Sequence, residues 1–282
     1  MTESKREPKA EASQETRSIE KELYIEAPPE VVWRALTEAA ELTRWFPVEA
    51  AVEPGEGGTI RLSWGEGAEG TARIHLWDPE RSVGWREQYG SVVLAVEYHI
   101  EAKGGGTVLR LVHSGFAATA DWDEQFHMVD GGWSYFLENL RLYLERHRGV
   151  PRTLVYERRP VAMPRPEAYA RLTGPNGVGV EGSFEGLTAG DPYRVRTSAG
   201  EVMEGRVIAA QPGYQLGLTI DDGSALLFIE IEPAPEGCRP AVWLSTYGLP
   251  DADVSARADR LGRMYANALG APVGQPTVRR SG

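Results

Sequence analysis

The stretch VGWREQYGSVVLAVEYHI, residues 83–100, alternates between two faces with a period of two and decides the fold class. One face of its first half carries Val83, Trp85, Glu87 and Tyr89, and the alternation then continues to Ile100. A period of two predicts β-strands, because successive side chains of a strand point to opposite faces. The pattern extends over residues 57–116, where the connections are too short to contain crossover helices. We therefore predict an antiparallel meander.

Helical patterns lie on both sides of this meander. A strand at residues 19–27 and short helices at 30–38 and 40–45 precede it, and a long amphipathic helix at 132–148 follows it. The apolar stripe of the long helix and the apolar face of a curved sheet bury each other best when the helix crosses the concave face. The predicted fold class is therefore α+β, and a gap between helix and sheet would form a ligand pocket.

The second half of the chain repeats this plan, at a shift of 133 residues for the strands and turns, 136 for the first helix and 122 for the last helix. The shift of 133 residues places Gly57 on Gly190, Pro79 on Pro212 and Gly84 on Gly217. One shift that spans several strands and turns indicates two copies of one domain. The predicted organisation is a disordered arm at 1–18, a first domain at 19–149, a second, degenerate domain at 150–270, and a flexible tail at 271–282.

The composition is that of a folded, acidic chain. Lys and Arg number 30 against 41 Asp and Glu, which gives a formal net charge of −11 over 282 residues. Nucleic acids and anionic membranes select basic surfaces, so neither is an expected partner. No run approaches the roughly 18 apolar residues of a membrane-spanning helix. The single Cys238 and a polar N-terminal segment without a secretory signal favour a reducing, cytoplasmic location.

Several motifs of the first half resemble a known family. They are IEAPPEVVWRALT at 25–37 followed by Trp45-Phe46, PERSVGW at 79–85, GGTVLRLVHSGF at 105–116, and Gly132-Trp133 at the start of the long helix. Together they resemble the activator of heat-shock-protein-90 ATPase homologue-like family of the START-like (SRPBCC) superfamily. The resemblance covers roughly residues 19–148, and the second half departs from the pattern.

This resemblance implies a helix-grip (START/Bet v-like) fold with a hydrophobic cavity. Members of the superfamily bind lipids, sterols, hormones or polyketides, and some catalyse cyclisation. The eukaryotic co-chaperone carries this domain beside a separate chaperone-binding domain, and no such additional domain is visible in this sequence. Co-chaperone activity is therefore not carried over, and a likeness of fold does not define a reaction.

Large aromatic side chains are concentrated in the first half, and rings of this kind line pockets for flat apolar ligands. We therefore predict that the first domain binds a small hydrophobic or aromatic molecule, without a cofactor, in the cavity between helix and sheet. The sequence does not distinguish a monomer from a homodimer, and a homodimer is a possible partner arrangement. The predicted ligand-binding residues are Trp45, Trp64, Trp85, Glu87, Tyr89, Tyr98, His113, Trp133 and Phe136.

Two other functions remain open at this point. A cyclase- or dehydratase-like enzyme would use Glu87 as a base or His113 as a proton donor, although a solvent-facing Glu and a strand-end His are the commoner structures. A protein-interaction or co-chaperone-like module without a ligand would have a filled core and a partner surface instead of a pocket. What separates the enzyme from the binding protein is whether Glu87 and His113 converge in one closed pocket.

The best metal candidate is the helical spacing of Asp123, His127 and Asp130. Without a Cys or a second His it is a weak site, and a solvated helix that ends at Gly131-Gly132 is the favoured interpretation. We predict no metal site and no catalytic residue from this sequence.

Overall fold

The structure is a computed structural model that describes residues 15–65, 68–90, 92–197, 200–220 and 224–281, without the side chain of Tyr89. The first half of the chain forms one sheet and its helices. The elements, in chain order, are β1 (Thr16–Ile25), α1 (Pro29–Thr37), α2 (Ala39–Leu42), β2 (Glu49–Val52), β3 (Thr59–Ser63), β4 (Glu69–Asp78), β5 (Ser82–Tyr89), β6 (Val92–Lys103), β7 (Gly106–Ala117), a 3-10 turn (Ala120–Trp122) and α3 (Asp123–Arg146).

The second half forms another sheet on the same plan. Its elements are β8 (Arg152–Arg158), α4 (Arg165–Thr173), β9 (Pro192–Arg196), β10 (Val202–Gln211), β11 (Gln215–Ile220), β12 (Ala225–Pro233), β13 (Cys238–Tyr247), α5 (Asp251–Leu269) and β14 (Thr277–Arg280). The strand orders are β1-β7-β6-β5-β4-β3-β2 and β14-β8-β13-β12-β11-β10-β9, and the strand pairs are antiparallel. The α+β helix-grip fold is therefore present in two copies, as the sequence predicts.

The four main layers are the first sheet, α3, the second sheet and α5. Neighbouring residues of β12 alternate between the two sides of the second sheet. Phe228 is part of the core around α3, whereas Leu227 is part of the core under α5. Their partners on β13, Trp243 and Leu244, are divided in the same way. Helix α3 is thus buried on two sides, by its own sheet and by the sheet of the second half.

Polar contacts join the two halves around α3. The buried Asn139 donates to the backbone oxygen of Trp45 at 2.6 Å, and its side-chain oxygen lies 2.9 Å from the hydroxyl of Tyr247. The guanidinium of buried Arg152 lies 2.5 Å from the backbone oxygen of Pro47. Because Asn139 and Arg152 find hydrogen-bond partners across the junction, these two side chains are buried without the cost of unpaired polar groups.

Three boundaries differ from those expected from the sequence. β1 begins at Thr16, inside the predicted arm, because Thr16 pairs with Ala117 at the end of β7. The predicted flexible tail contains β14, which pairs with β8 and covers an edge that would otherwise be unpaired. Helix α3 begins at Asp123 and not at Gly132, so that Gly131 and Gly132 lie inside it.

Candidate functional site

A cleft of about 720 Å³ opens beside the N-terminal half of α3. Its walls come from the first sheet, α3 and the second sheet. The rings that line it are Phe46, Trp64, Trp133, Phe136 and Phe228, with His113 among them. An adjoining space of about 240 Å³ shares Phe46, Trp64, Phe136 and Phe228 with it and continues to Trp243. We refer to the first space as the aromatic cleft and to the second as the side chamber.

Phe46 lies at the centre of the aromatic wall. Its ring is stacked on Trp133 with centroids 5.2 Å apart and meets Phe136 edge-on at 4.8 Å. Trp64 meets the same ring edge-on at 5.1 Å. Offset and edge-on pairs of this kind stabilise one another beyond their buried area. The wall is therefore a connected group of rings that is formed before any ligand arrives.

His113 is the polar group within this wall. The indole N–H of Trp133 donates to Nδ1 of His113 at 2.9 Å. Burial lowers the pKa of His113 to about 4, so the ring is neutral at pH 7. Since an indole nitrogen can only donate, Nδ1 must be the unprotonated nitrogen, and the ring proton is on Nε2. His113 therefore offers one N–H donor in an aromatic surrounding.

A second donor on this wall has no partner within the described part of the chain. Nε1 of Trp64 is buried and makes no hydrogen bond there. A buried donor without an acceptor costs free energy, and this cost is removed when a ligand supplies the acceptor.

The second half contributes Phe228 and Glu230 to the opposite wall, both from β12. The ring of Phe228 is stacked on Tyr135 of α3 with centroids 4.6 Å apart. The hydroxyl of Tyr135 in turn lies 3.0 Å from that of Ser245 on β13. These contacts fix the position of β12 relative to α3, and with it the width of the cleft.

Glu230 has a carboxyl group that is a weaker acid than usual. Burial raises its pKa to about 7, and the negative charge of nearby Glu232 acts in the same direction. Opposing contributions come from the Gln215 amide and from the guanidinium groups of Arg158 and Arg165. Near neutral pH this carboxyl group is therefore divided between its protonated and ionised forms.

The structure brings four of the predicted ligand-binding residues to the aromatic cleft, namely Trp64, His113, Trp133 and Phe136. Trp45, Trp85 and Tyr98 lie in the packed core and line neither the cleft nor the side chamber. Glu87 is exposed near the end of β5, beside Gly70 of β4. The side chain of Tyr89 lies outside the described residues.

Sequence reasoning did not select Phe46, Phe228 or Glu230 as site residues. Phe46 was visible in the Trp45-Phe46 pair of the family motif. Phe228 and Glu230 are two residues apart in β12 and therefore share one face of that strand. The sequence predicts a strand there, but it does not show which face of the strand meets α3.

The second half has a cavity of its own between α5 and its sheet. It measures about 280 Å³ and is lined by apolar side chains such as Met203, Leu227, Leu244 and Leu261. It contains no aromatic ring among its described lining residues. The two halves thus differ in the chemistry of their cavities.

The candidate metal ligands face other partners. Asp123 forms an ion pair with Arg17 at 2.7 Å, and Asp130 forms one with Lys21 at 2.7 Å. Among the described residues there is no group of three or more His, Cys, Asp or Glu side chains that could hold a metal ion. No helix in the described ranges is both long and apolar enough to cross a membrane.

Comparison with known proteins identifies the first half. Residues 26–145 match the family model described as activator of Hsp90 ATPase homolog 1-like protein. The match covers less than half of the chain and lies within its first half. The matched segment begins directly after β1 and ends in the last turn of α3, so it contains α1, α2 and strands β2 to β7. No curated protein matches the chain.

Solved structures similar to the chain fall into two groups by the length they cover. The Aha1 dimer from Colwellia psychrerythraea is 23% identical, with 47% of this chain and 99% of that chain covered and a TM-score of 0.43. CalU16 from Micromonospora echinospora is 26% identical, with 46% and 78% covered and a TM-score of 0.39. DynU16, from the dynemicin biosynthetic locus, is 17% identical, with 90% and 96% covered and a TM-score of 0.41.

Proposed function

We propose that the chain binds a small, flat, apolar molecule in the aromatic cleft. The observation that carries this proposal is the connected group of rings around Phe46, with His113 as a neutral hydrogen-bond donor in its wall. Rings provide large apolar area at little entropic cost, and one donor orients a ligand that carries an oxygen. The proposed ligand is therefore aromatic, with a hydrogen-bond acceptor such as an ether, hydroxyl or carbonyl oxygen.

Two further properties of the cleft support this proposal. Its volume of about 720 Å³ lies within the range of pockets that hold ligands of drug size. The rings are fixed by their mutual contacts, so little conformational entropy would be lost on binding. The family resemblance, which implies hydrophobic ligands, points in the same direction.

The test is a titration of the whole protein with the neutral probe 2-(6-methoxy-2-naphthyl)ethanol, followed by calorimetry and tryptophan fluorescence. We expect saturable binding that Phe136→Ala weakens about tenfold, because a half-buried ring contact of about 1.4 kcal/mol is lost. Trp77→Ala is the matched control, since Trp77 is also half-buried but packs against Trp33 outside the cleft. Its affinity should equal that of the wild type.

An absence of binding, or equal affinities of wild type and Phe136→Ala, would contradict the proposal. Phe136 is preferred to Trp85 for this experiment, because Trp85 is buried in the core and its truncation would disturb the fold.

The enzyme alternative required Glu87 and His113 in one closed pocket. Glu87 is exposed and does not line the aromatic cleft, whereas His113 does. The two side chains therefore do not converge in this cleft, and we do not propose the enzyme. A cytoplasmic location and the homodimer remain predictions from the sequence.

A further inference from the structure

The wall contributed by the second half makes the aromatic cleft more selective than a simple apolar pocket. We propose that the cleft selects an arylalkylamine, a ligand with an aromatic ring and a protonated aliphatic amine, whose ammonium group binds the carboxylate of Glu230 while its ring lies against the aromatic wall. This inference rests on the proposed function, because it takes the cleft as the ligand site. It adds the chemical class of the ligand and a role for the second half of the chain.

The charge of the cleft lining supports a cation. The ionisable side chains that line it, apart from the neutral His113, are the carboxyl groups of Asp121, Glu124 and Glu230. Among the described lining residues there is no lysine or arginine. Glu124 is paired with Arg165, so Asp121 and Glu230 are the carboxyl groups through which this lining attracts a positive charge and disfavours an anionic ligand.

The cationic groups close to the cleft are already engaged. Arg158 binds Glu232 through two nitrogens, at 2.6–3.0 Å, and lines only the side chamber. Arg165 binds Glu124 and also donates to the backbone oxygen of Ile231 at 2.8 Å.

The remaining neighbours of Glu230 leave its carboxyl group available. Arg152, also in the side chamber, is buried and lies against the backbone oxygens of Phe46 and Pro47. The Gln215 amide is within 3.4 Å of the Glu230 carboxyl, a long hydrogen bond. Glu230 therefore forms no ion pair within 4 Å among the described residues, and the charges of Arg158 and Arg165 act on it only from a greater distance.

The aromatic wall favours the same ligand. A cation above the face of Trp, Tyr or Phe is attracted by the negative face of the ring, most strongly for Trp and in sites from which water is excluded. Two tryptophans and three phenylalanines line this cleft. An arylalkylamine thus satisfies both features, since its ring packs against the wall and its charge neutralises Glu230. The N–H of His113 remains available for an oxygen at the other end of the ligand.

The acidity of Glu230 gives this binding a defined pH dependence. Its pKa of about 7 in the free protein lies above that of an ordinary carboxyl group. A bound ammonium group favours the ionised form and lowers this pKa, so binding below pH 7 must release a proton. An alkyl amine remains protonated at pH 8.5, because its own pKa is near that of lysine, about 10. The affinity for the amine should therefore rise from pH 5.5 to pH 8.5.

The experiment compares two probes with the same ring system, 2-(6-methoxy-2-naphthyl)ethylamine and the corresponding ethanol, by calorimetry at pH 5.5, 7.0 and 8.5. At pH 8.5 we expect the amine to bind about tenfold more tightly than the alcohol. Glu230→Gln, which keeps the shape of the side chain, should remove this preference and leave the affinity for the alcohol unchanged. Glu185→Gln, an exposed position of the second half that does not line the cleft, is the control and should behave as wild type.

Proton release provides a second readout that needs no variant. At pH 5.5, titrations in two buffers of different ionisation enthalpy should show close to one proton released per amine bound and none per alcohol. If amine and alcohol bind equally at every pH, the inference about Glu230 is wrong, although binding of the alcohol still supports the proposed function. If neither probe binds, both proposals fail. An amine preference that persists in Glu230→Gln overturns the role of this residue.

Discussion

His113 and Trp133 hold each other in place at the centre of the cleft wall. The indole N–H of Trp133 occupies Nδ1 of His113, and the two rings lie edge to face with centroids 5.9 Å apart. Trp133 is only 5% exposed and is also stacked on Phe46. The hydrogen bond determines which nitrogen of His113 is protonated, so the chemistry of the site depends on the packing of this one tryptophan.

The packing of Trp133 makes a prediction about the stability of the protein. Trp133→Ala removes a buried ring and its hydrogen bond, and it should lower the free energy of unfolding by roughly 3–5 kcal/mol. Urea denaturation followed by circular dichroism measures this loss. Trp77→Ala, at a half-buried position, should cost clearly less. A loss below about 1 kcal/mol for Trp133→Ala would mean that the ring is not part of the packed core.

Two glutamates show what the sequence can reveal at the level of single residues. Glu87 shares the face of Trp85 in the alternation, yet it is exposed. A period of two shows which residues share a face of a strand, but it does not show how much of that face is covered. Glu230 lies in a strand that also contains apolar residues at every neighbouring position from 225 to 229. Which of its two faces meets α3 depends on how the halves pack, and no local pattern encodes that.

Helix α3 is the element on which the site is built, because it separates the two sheets. Gly131 allows the closest approach on the side of the second half. A Cβ added at Gly131 would lie 2.0 Å from Oε1 of Gln215, whereas one added at Gly132 would meet nothing within 4 Å. Gln215 is fully buried, and its Nε2 donates to the backbone oxygen of Met128 at 2.9 Å. Its amide can therefore move only if this bond is lost.

The neighbouring glycines of α3 provide a matched pair of variants. Gly131→Ala should destabilise the protein by roughly 1–3 kcal/mol, because the gain in helix propensity is outweighed by the clash with Gln215. Gly132→Ala should stabilise the protein by up to about 1 kcal/mol, since alanine favours the helix and space is available. Thermal unfolding of the two variants measures the difference. Equal effects would show that α3 does not approach β11 as closely as described.

The strands are the elements that the sequence predicts best. Equivalent strands begin at Thr59 and Pro192, and at Glu69 and Val202, each pair 133 residues apart, the shift found by comparing the two halves. Alternation and turn residues are local signals, so they survive in the degenerate copy. The start of α3 and the strand β14 were not predicted, because local signals do not determine them. Both depend on contacts with distant elements, namely Gln215 on β11 and the open edge of β8.

At the scale of the whole molecule, the second sheet is both a support and a wall. One of its faces covers α5, and the other packs on α3 and completes the aromatic cleft with Phe228 and Glu230. The first half alone would leave that side of α3 exposed to water. The second half therefore forms the closing wall of the aromatic cleft.

The location of a bound ring tests the central proposal most directly. A crystal of the protein soaked with a brominated analogue of the methoxynaphthyl alcohol would show the bromine by its anomalous scattering. We predict one site, with the naphthalene in the aromatic cleft between Phe136 of α3 and Phe228 of β12. Bromine in the cavity under α5, or at no ordered position while calorimetry of the same compound shows saturable binding, would contradict the proposal that this cleft is the ligand site.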